Sequence, residues 1–266
     1  MDKTVVYCGT QNHYPFMEVA AKSLLYHTPV DRVYFLIEDD IYPWMLPDMI
    51  STINVSDQQW FRPDGANYKS DWTYMAYVRI ALTKILPDCH AALYMDTDTL
   101  VLHDISPLLD ANLDGYCFGM IAEDIGDVPI EMCKAFSVAG TQLAIFQSDS
   151  PRPEYCIRPY YNSGVMMMNL DEMRRTGMDD ILIDEINNVY HKYPDQDAIN
   201  LMCRDKILPV PLEYNVIPSL CPDFPQEQIR IKHFAADKPL WKSSLWQQYR
   251  RIPWKTVMER QAMLHE

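Results

Sequence analysis

The sequence has no Cys-x-x-Cys pair, no basic excess and no apolar run long enough to cross a bilayer, and each absence closes off a class of protein. Its seven cysteines, Cys8, Cys89, Cys117, Cys133, Cys156, Cys203 and Cys221, are odd in number and scattered. That argues against a zinc cluster and a disulfide framework, and fits reduced thiols in a cytoplasmic protein. A formal net charge of −14 leaves no positive field to replace the counterions of a nucleic acid, so nonspecific nucleic-acid binding is not expected. An anionic ligand would need a local cation. The start "MDKTVVYC" enters a strand-like run at once, without the apolar region of a signal peptide, and the expected location is the cytoplasm. Neither an internal repeat nor a low-complexity linker interrupts the chain.

What is present is a core-forming composition, 48% hydrophobic over 266 residues, enough for one domain with a small appendage. "KTVVYCGT" reads as a strand ending in a turn, "FMEVAAKSLLYH" as a helix and "DRVYFLIEDD" as a second strand. This order is the unit of a parallel sheet, whose ligands gather beyond the C-terminal strand ends. "MAYVRIALTKILPD" is patterned as a helix stopped by Pro87, and "HAALYMDTD" as the strand after it. "GYCFGMIAE" and "YYNSGVMMMNL" read as strands, "MDDILIDEINNVYHKY" and "PDQDAINLMCRD" as helices, and "KILPVPLEYNVIP" and "QIRIKHFAAD" as late strands. Residues 124–160 carry no clear pattern and are read as a loop over a site. The expected division is a main domain over 1–242 and an aromatic, basic helical tail over 243–266. The tail reads either as an interfacial helix, peripheral at the inner face of a membrane, or as a packed C-terminal helix.

Asp96 and Asp98 in "ALYMDTDTLVL" break the apolar pattern where a strand should end. A single aspartate there would be a turn cap. Two at alternate positions point to one side if the extended geometry persists, forming a hard-oxygen site for Mg²⁺ or Mn²⁺. "DTDTL" also fits the Asp-x-Asp-x-Thr of haloacid dehalogenase-type phosphatases and phosphotransferases. Those place the motif on the first strand, and here a strand, helix, strand and further helix precede it.

Taken together, "VVYCGTQNHY", "YVRIALTKILPD", "ALYMDTDTLVLHDISPLL", "YYNSGVMMMNL", "YPDQDAINLM", "LPVPLEYN" and "HFAADKPLW" resemble glycosyltransferase family 8. This family of retaining enzymes includes glycogenin and the bacterial lipopolysaccharide galactosyl- and glucosyltransferases. The resemblance implies an α/β fold of GT-A (Rossmann-like) type, with a mixed, mostly parallel sheet flanked by helices. It also implies transfer of a hexose from UDP-glucose or UDP-galactose to a glycan, glycolipid or protein acceptor. A non-catalytic nucleotide-sugar-binding module is the alternative from another class.

By the same resemblance, Asp96, Asp98 and His233 are the metal ligands, although a lone histidine beside Phe234 is more often a hydrogen-bonded core residue. Two carboxylates with an imidazole suit Mn²⁺ better than an all-oxygen site would. Cys8, Gly9, Thr10 and Tyr14 match the loop around the uracil and ribose, with Tyr14 the expected stacking ring. Arg79 matches a basic residue near the diphosphate, and Thr97 lies between the two aspartates. Asn162, Ser163, Asp195 and Gln196 match positions around the donor sugar, while Asp195 also suits a helix N-terminus. Lys238 matches a diphosphate lysine, but "HFAADKP" is one residue shorter than the usual spacing and has Ala236 where glycine is usual. Retention by double displacement would need a group under the sugar, with Gln196, Asp195 and Asp124 the candidates. Front-face substitution would need ion-pair stabilisation and the acceptor hydroxyl.

Overall fold

The computed structural model describes residues 2–68, 72–123, 159–235 and 240–265. Their strands are β1 (Thr4–Cys8), β2 (Arg32–Ile37), β3 (Ile50–Asn54), β4 (Ala91–Met95), β5 (Thr99–Val101), β6 (Phe118–Ala122), β7 (Tyr161–Asn169), β8 (Ile207–Val210) and β9 (Ile231–His233). Seven of them form one sheet in the order β3-β2-β1-β4-β7-β6-β8, in which only β7 runs against its neighbours. The expected mixed, mostly parallel sheet is therefore present. β5 and β9 form a separate antiparallel ribbon.

Every residue of β1 is buried, as a central strand covered on both faces requires. The pleat sends alternate side chains to two cores. Val6, Cys8, Ala92, Tyr94, Met166 and Met168 enter one, and Val5, Tyr7, Leu93, Met95, Val165 and Met167 enter the other. Helix α1 (Tyr14–His27), with Pro15 in its first turn, covers the second face through Met17, Ala20, Ala21, Leu24 and Leu25. The short helices α2 (Leu82–Ile85) and α3 (Ser106–Leu109) follow. Helices α4 (Leu170–Thr176), α5 (Met178–Asn188) and α6 (Pro194–Met202) lie on the first face, where Met173, Leu182, Ile186 and Ile199 complete the packing.

Three parts of the chain depart from the sequence reading. The helix expected over 75–88 is two 3₁₀ turns followed by α2. Val78, Arg79, Ile80 and Ala81 are all buried, so this segment is enclosed by core rather than amphipathic. Asp96 to Thr99 is a turn, not extended strand: the Thr99 N–H and hydroxyl both donate to the Asp96 carbonyl, at 3.2 and 2.7 Å. β3 was not anticipated, because its pattern of exposed Ser51, Thr52 and Asn54 suits an edge strand with little apolar periodicity.

The C-terminal segment forms α7 (Ser244–Arg251) and α8 (Trp254–Leu264). Trp246 and Tyr249 of α7 pack with Val19 of α1, Leu100 and Phe234, while Trp241, Arg250 and Arg251 remain exposed. No helix among the described residues is long and apolar enough to cross a membrane.

Candidate functional site

The C-terminal ends of β1, β2, β4 and β6 share one edge of the sheet, and antiparallel β7 begins there. The Asp96 N–H donates to the Gly164 carbonyl at 2.8 Å, which sets the turn after β4 against the "NSG" that opens β7. β9 pairs with β5 so that Thr99 and His233 are partners, and the Phe234 N–H donates to the Asp98 carbonyl at 2.9 Å. The ribbon thus folds a histidine from late in the chain onto the two aspartates.

One ligand atom from each of Asp96, Asp98 and His233 lies within 4.8 Å of the others. His233 Nε2 is 3.3 Å from Asp98 Oδ1 and 3.8 Å from Asp96 Oδ2. Among the described residues this is the one group of three or more carboxylate, imidazole or thiol side chains arranged to hold a metal ion. The donor set fits a divalent cation that accepts both oxygen and nitrogen. Burial would lower the pKa of His233, but Asp98, followed by Asp96, outweighs that effect and raises it.

Asp96 is fixed from behind. Its Oδ1 accepts from the Tyr94 hydroxyl at 2.8 Å and lies 3.0 Å from Arg79 Nη1, which leaves Oδ2 on the His233 side. Arg79 is buried, stacks on the Tyr94 ring at 3.9 Å and donates to the Ser163 carbonyl at 2.9 Å. Its Nε is 3.5 Å from Asp195 Oδ2. Burial opposes the guanidinium charge, yet Asp96, Tyr94 and Asp195 together raise its pKa. Arg79 therefore engages two carboxylates at once, Asp96 and Asp195. Asp195 is itself buried, and burial outweighs Arg79 in raising its carboxyl pKa.

Gln196 braces α6 against the start of β7. Its Oε1 accepts from the Ser163 N–H at 2.9 Å and the Ser163 hydroxyl at 3.3 Å, and its Nε2 donates to the Tyr160 hydroxyl at 2.9 Å. Tyr160 in turn donates to Asp197, whose carboxyl burial lifts to about 7. The amide of Asn200 pairs with both the N–H and the carbonyl of Tyr161 at 2.8 Å, as a neighbouring strand would. Asn162 is buried between Glu123, the Gly164 N–H and Asn215.

At the end of β1, the Cys8 thiol donates to the Met75 carbonyl at 2.9 Å, and the Gly9 N–H donates to the Leu36 carbonyl at 3.1 Å. Thr10 Oγ1 bonds His13 Nδ1 at 2.9 Å. Tyr14 is almost fully buried, its ring 4.9 Å from that of Tyr42 and its hydroxyl on Asp39. Thr97 is half-buried in the turn between the aspartates. Asp124 and Lys238 lie outside the described residues, as does the patternless segment 124–160 apart from its last two residues.

The sequence reading missed Tyr94, Tyr160, Asn215 and Glu123. For Tyr94 a signal existed, since it precedes Asp96 by two residues on a strand and shares its side. Asn215 closes the motif "LPVPLEYN", but its spacing, 18 residues from His233 and 53 from Asn162, does not mark it as a partner of either.

The profile of glycosyl transferase family 8 matches residues 4–244. Glycosyltransferase GlyA of Streptococcus pneumoniae is 23% identical over 95% of this chain, and lipopolysaccharide 1,2-glucosyltransferase of Escherichia coli is 30% identical over 55% of it. The matched parts span only 34% and 39% of those two proteins. The solved structure of the galactosyltransferase LgtC with donor and acceptor sugar analogues superposes with a TM-score of 0.62 at 18% identity, covering 96% of this chain and 99% of that one.

Proposed function

The chain belongs to glycosyltransferase family 8, and on that footing we propose that it transfers glucose or galactose from a UDP-sugar to an acceptor hydroxyl, with retention at the anomeric carbon. The acceptor would be a glycan, a glycolipid or a protein. The observation that carries this reading is the meeting of Asp96, Asp98 and His233 at the strand ends, where the phosphates of a donor would arrive. Mn²⁺, or Mg²⁺, bound by these three would supply Lewis-acid stabilisation of the charge developing on the departing diphosphate. A local cation is also how a chain of net charge −14 would bind an anionic donor.

The protein's own groups divide the remaining tasks. Arg79 and Tyr94 hold Asp96 so that Oδ2 faces the ion position. Asp195 is buried with its Oδ2 3.5 Å from Arg79 Nε, which holds its carboxylate on the side of the site assigned to the donor sugar. Gln196 Oε1 already accepts two hydrogen bonds from Ser163, which supports a bracing role over a nucleophilic one and favours front-face substitution. Ser163 and Asn162 form the wall of the site beside the ion position, and Cys8, Gly9, Thr10 and Tyr14 form the edge assigned to the nucleoside.

A donor panel tests the reading. The protein should hydrolyse UDP-glucose or UDP-galactose slowly with Mn²⁺ and not with EDTA. Binding without hydrolysis would identify a binding module, and phosphate release from a generic phosphoester would identify a phosphatase.

A further inference from the structure

A chain of buried amides runs from Glu123 through Asn162 and Asn215 to His233, and its polarity is fixed at one end by the backbone. The Gly164 N–H can only donate, and it lies 2.9 Å from the Asn162 side chain, so the atom facing it is Oδ1. Asn162 Nδ2 then points to Glu123 Oε1 at 2.9 Å, an acceptor, which agrees. The Asn215 atom 2.8 Å from Asn162 Oδ1 must be its NH₂, which leaves Asn215 Oδ1 2.9 Å from His233 Nδ1. An oxygen at that place requires a proton on Nδ1. The imidazole is thereby left with its Nε2 lone pair turned toward the two aspartates whenever it is neutral.

We propose that Asn215, backed by Asn162, is the positioning residue that sets the tautomer and ring orientation of His233 for metal binding. The proposal deepens the metal-site reading above and rests on it. Asn162, Asn215 and His233 are each no more than 5% exposed, so water does not substitute for a lost partner. Metal-bound histidines generally donate their other ring N–H to such an acceptor, and loss of that partner weakens metal binding by about 10- to 100-fold. The arrangement also reassigns Asn162. Its three hydrogen bonds to Glu123, Gly164 and Asn215 make it part of the support of the ligand rather than a free contact for the sugar.

The test uses Mn²⁺ alone, titrated against the full chain and read by electron paramagnetic resonance. Asn215→Leu, close in volume, should weaken Mn²⁺ binding by about 10-fold or more. Asn215→Asp keeps an acceptor at Nδ1 and should stay within a few-fold of wild type. Equal losses in both variants, or none in Asn215→Leu, would overturn the proposal. A second readout does not depend on either variant folding or on metal. In the metal-free wild type, above the imidazole titration, long-range ¹⁵N–¹H spectra of His233 should show a protonated Nδ1 and an unprotonated Nε2. The opposite pattern would overturn the tautomer assignment. A wild type with this pattern that does not bind Mn²⁺ would instead overturn the metal site.

Discussion

Gly164 and His233 share a space that admits only one of a Cβ and an imidazole. A Cβ at 164 would collide with His233 Cε1 and come within 2.9 Å of both Asn162 Oδ1 and Asp96 Oδ2. The obstacle on one side is the imidazole, pinned by Asn215, and on the other a carboxylate pinned by Tyr94 and Arg79. Gly164→Ala should therefore displace His233 and weaken Mn²⁺ binding by about 10-fold or more, the scale of losing the support of a ligand. Calorimetric titration with Mn²⁺ checks this.

Arg79 is the buried counter-charge for Asp96 and Asp195 at once. Arg79→Met leaves two carboxylates without it, and removing one member of a buried charge cluster costs about 3–5 kcal/mol. Urea unfolding should show a loss of that order at neutral pH. The loss should shrink in acid, as the stranded carboxyls become protonated.

The C-terminal helix α8 joins the folded body through buried Val257 and through a polar clasp made by Gln261. Gln261 Nε2 donates to the carbonyls of Leu25 and Thr28 at the end of α1, and its Oε1 accepts from the Val30 N–H at 3.3 Å. Gln261 is buried, so Gln261→Ala strands these groups, at about 1–3 kcal/mol for an unsatisfied buried partner. A lowered midpoint in thermal unfolding is the expected result.

The same junction carries a pH dependence. His27 Nε2 bonds the Tyr249 hydroxyl of α7 at 2.7 Å, and burial, with His103 and Arg260 nearby, lowers the His27 pKa to about 4 from its ordinary 6.5. Between these values the unfolded chain binds a proton that the folded chain does not. The contribution of the group to stability is thus complete above pH 6.5 and declines as the pH falls toward 4. His27→Gln should flatten this part of the stability profile, measured by chemical unfolding at a series of pH values.

Much of the architecture was legible because it rests on local pattern. β1, α1, β2 and β4 announced themselves by apolar periodicity, and the break in that pattern at Asp96 and Asp98 marked the strand end. What could not be read were features set by tertiary enclosure. Arg79 looked like part of an amphipathic helix and is instead in a 3₁₀ turn with core all round it. The aspartates are brought together by a turn held by Thr99 rather than by strand alternation. Asn215 matters only because β9 carries His233 past it, a contact that no spacing in the sequence encodes.

The most direct test of the central claim is Mn²⁺-dependent hydrolysis of UDP-glucose and UDP-galactose by wild type and Asp98→Asn, with UDP release as the signal. The metal-site account predicts release in wild type that requires Mn²⁺ and is abolished in Asp98→Asn. Release by the variant at the wild-type rate, or release unaffected by EDTA, would contradict it.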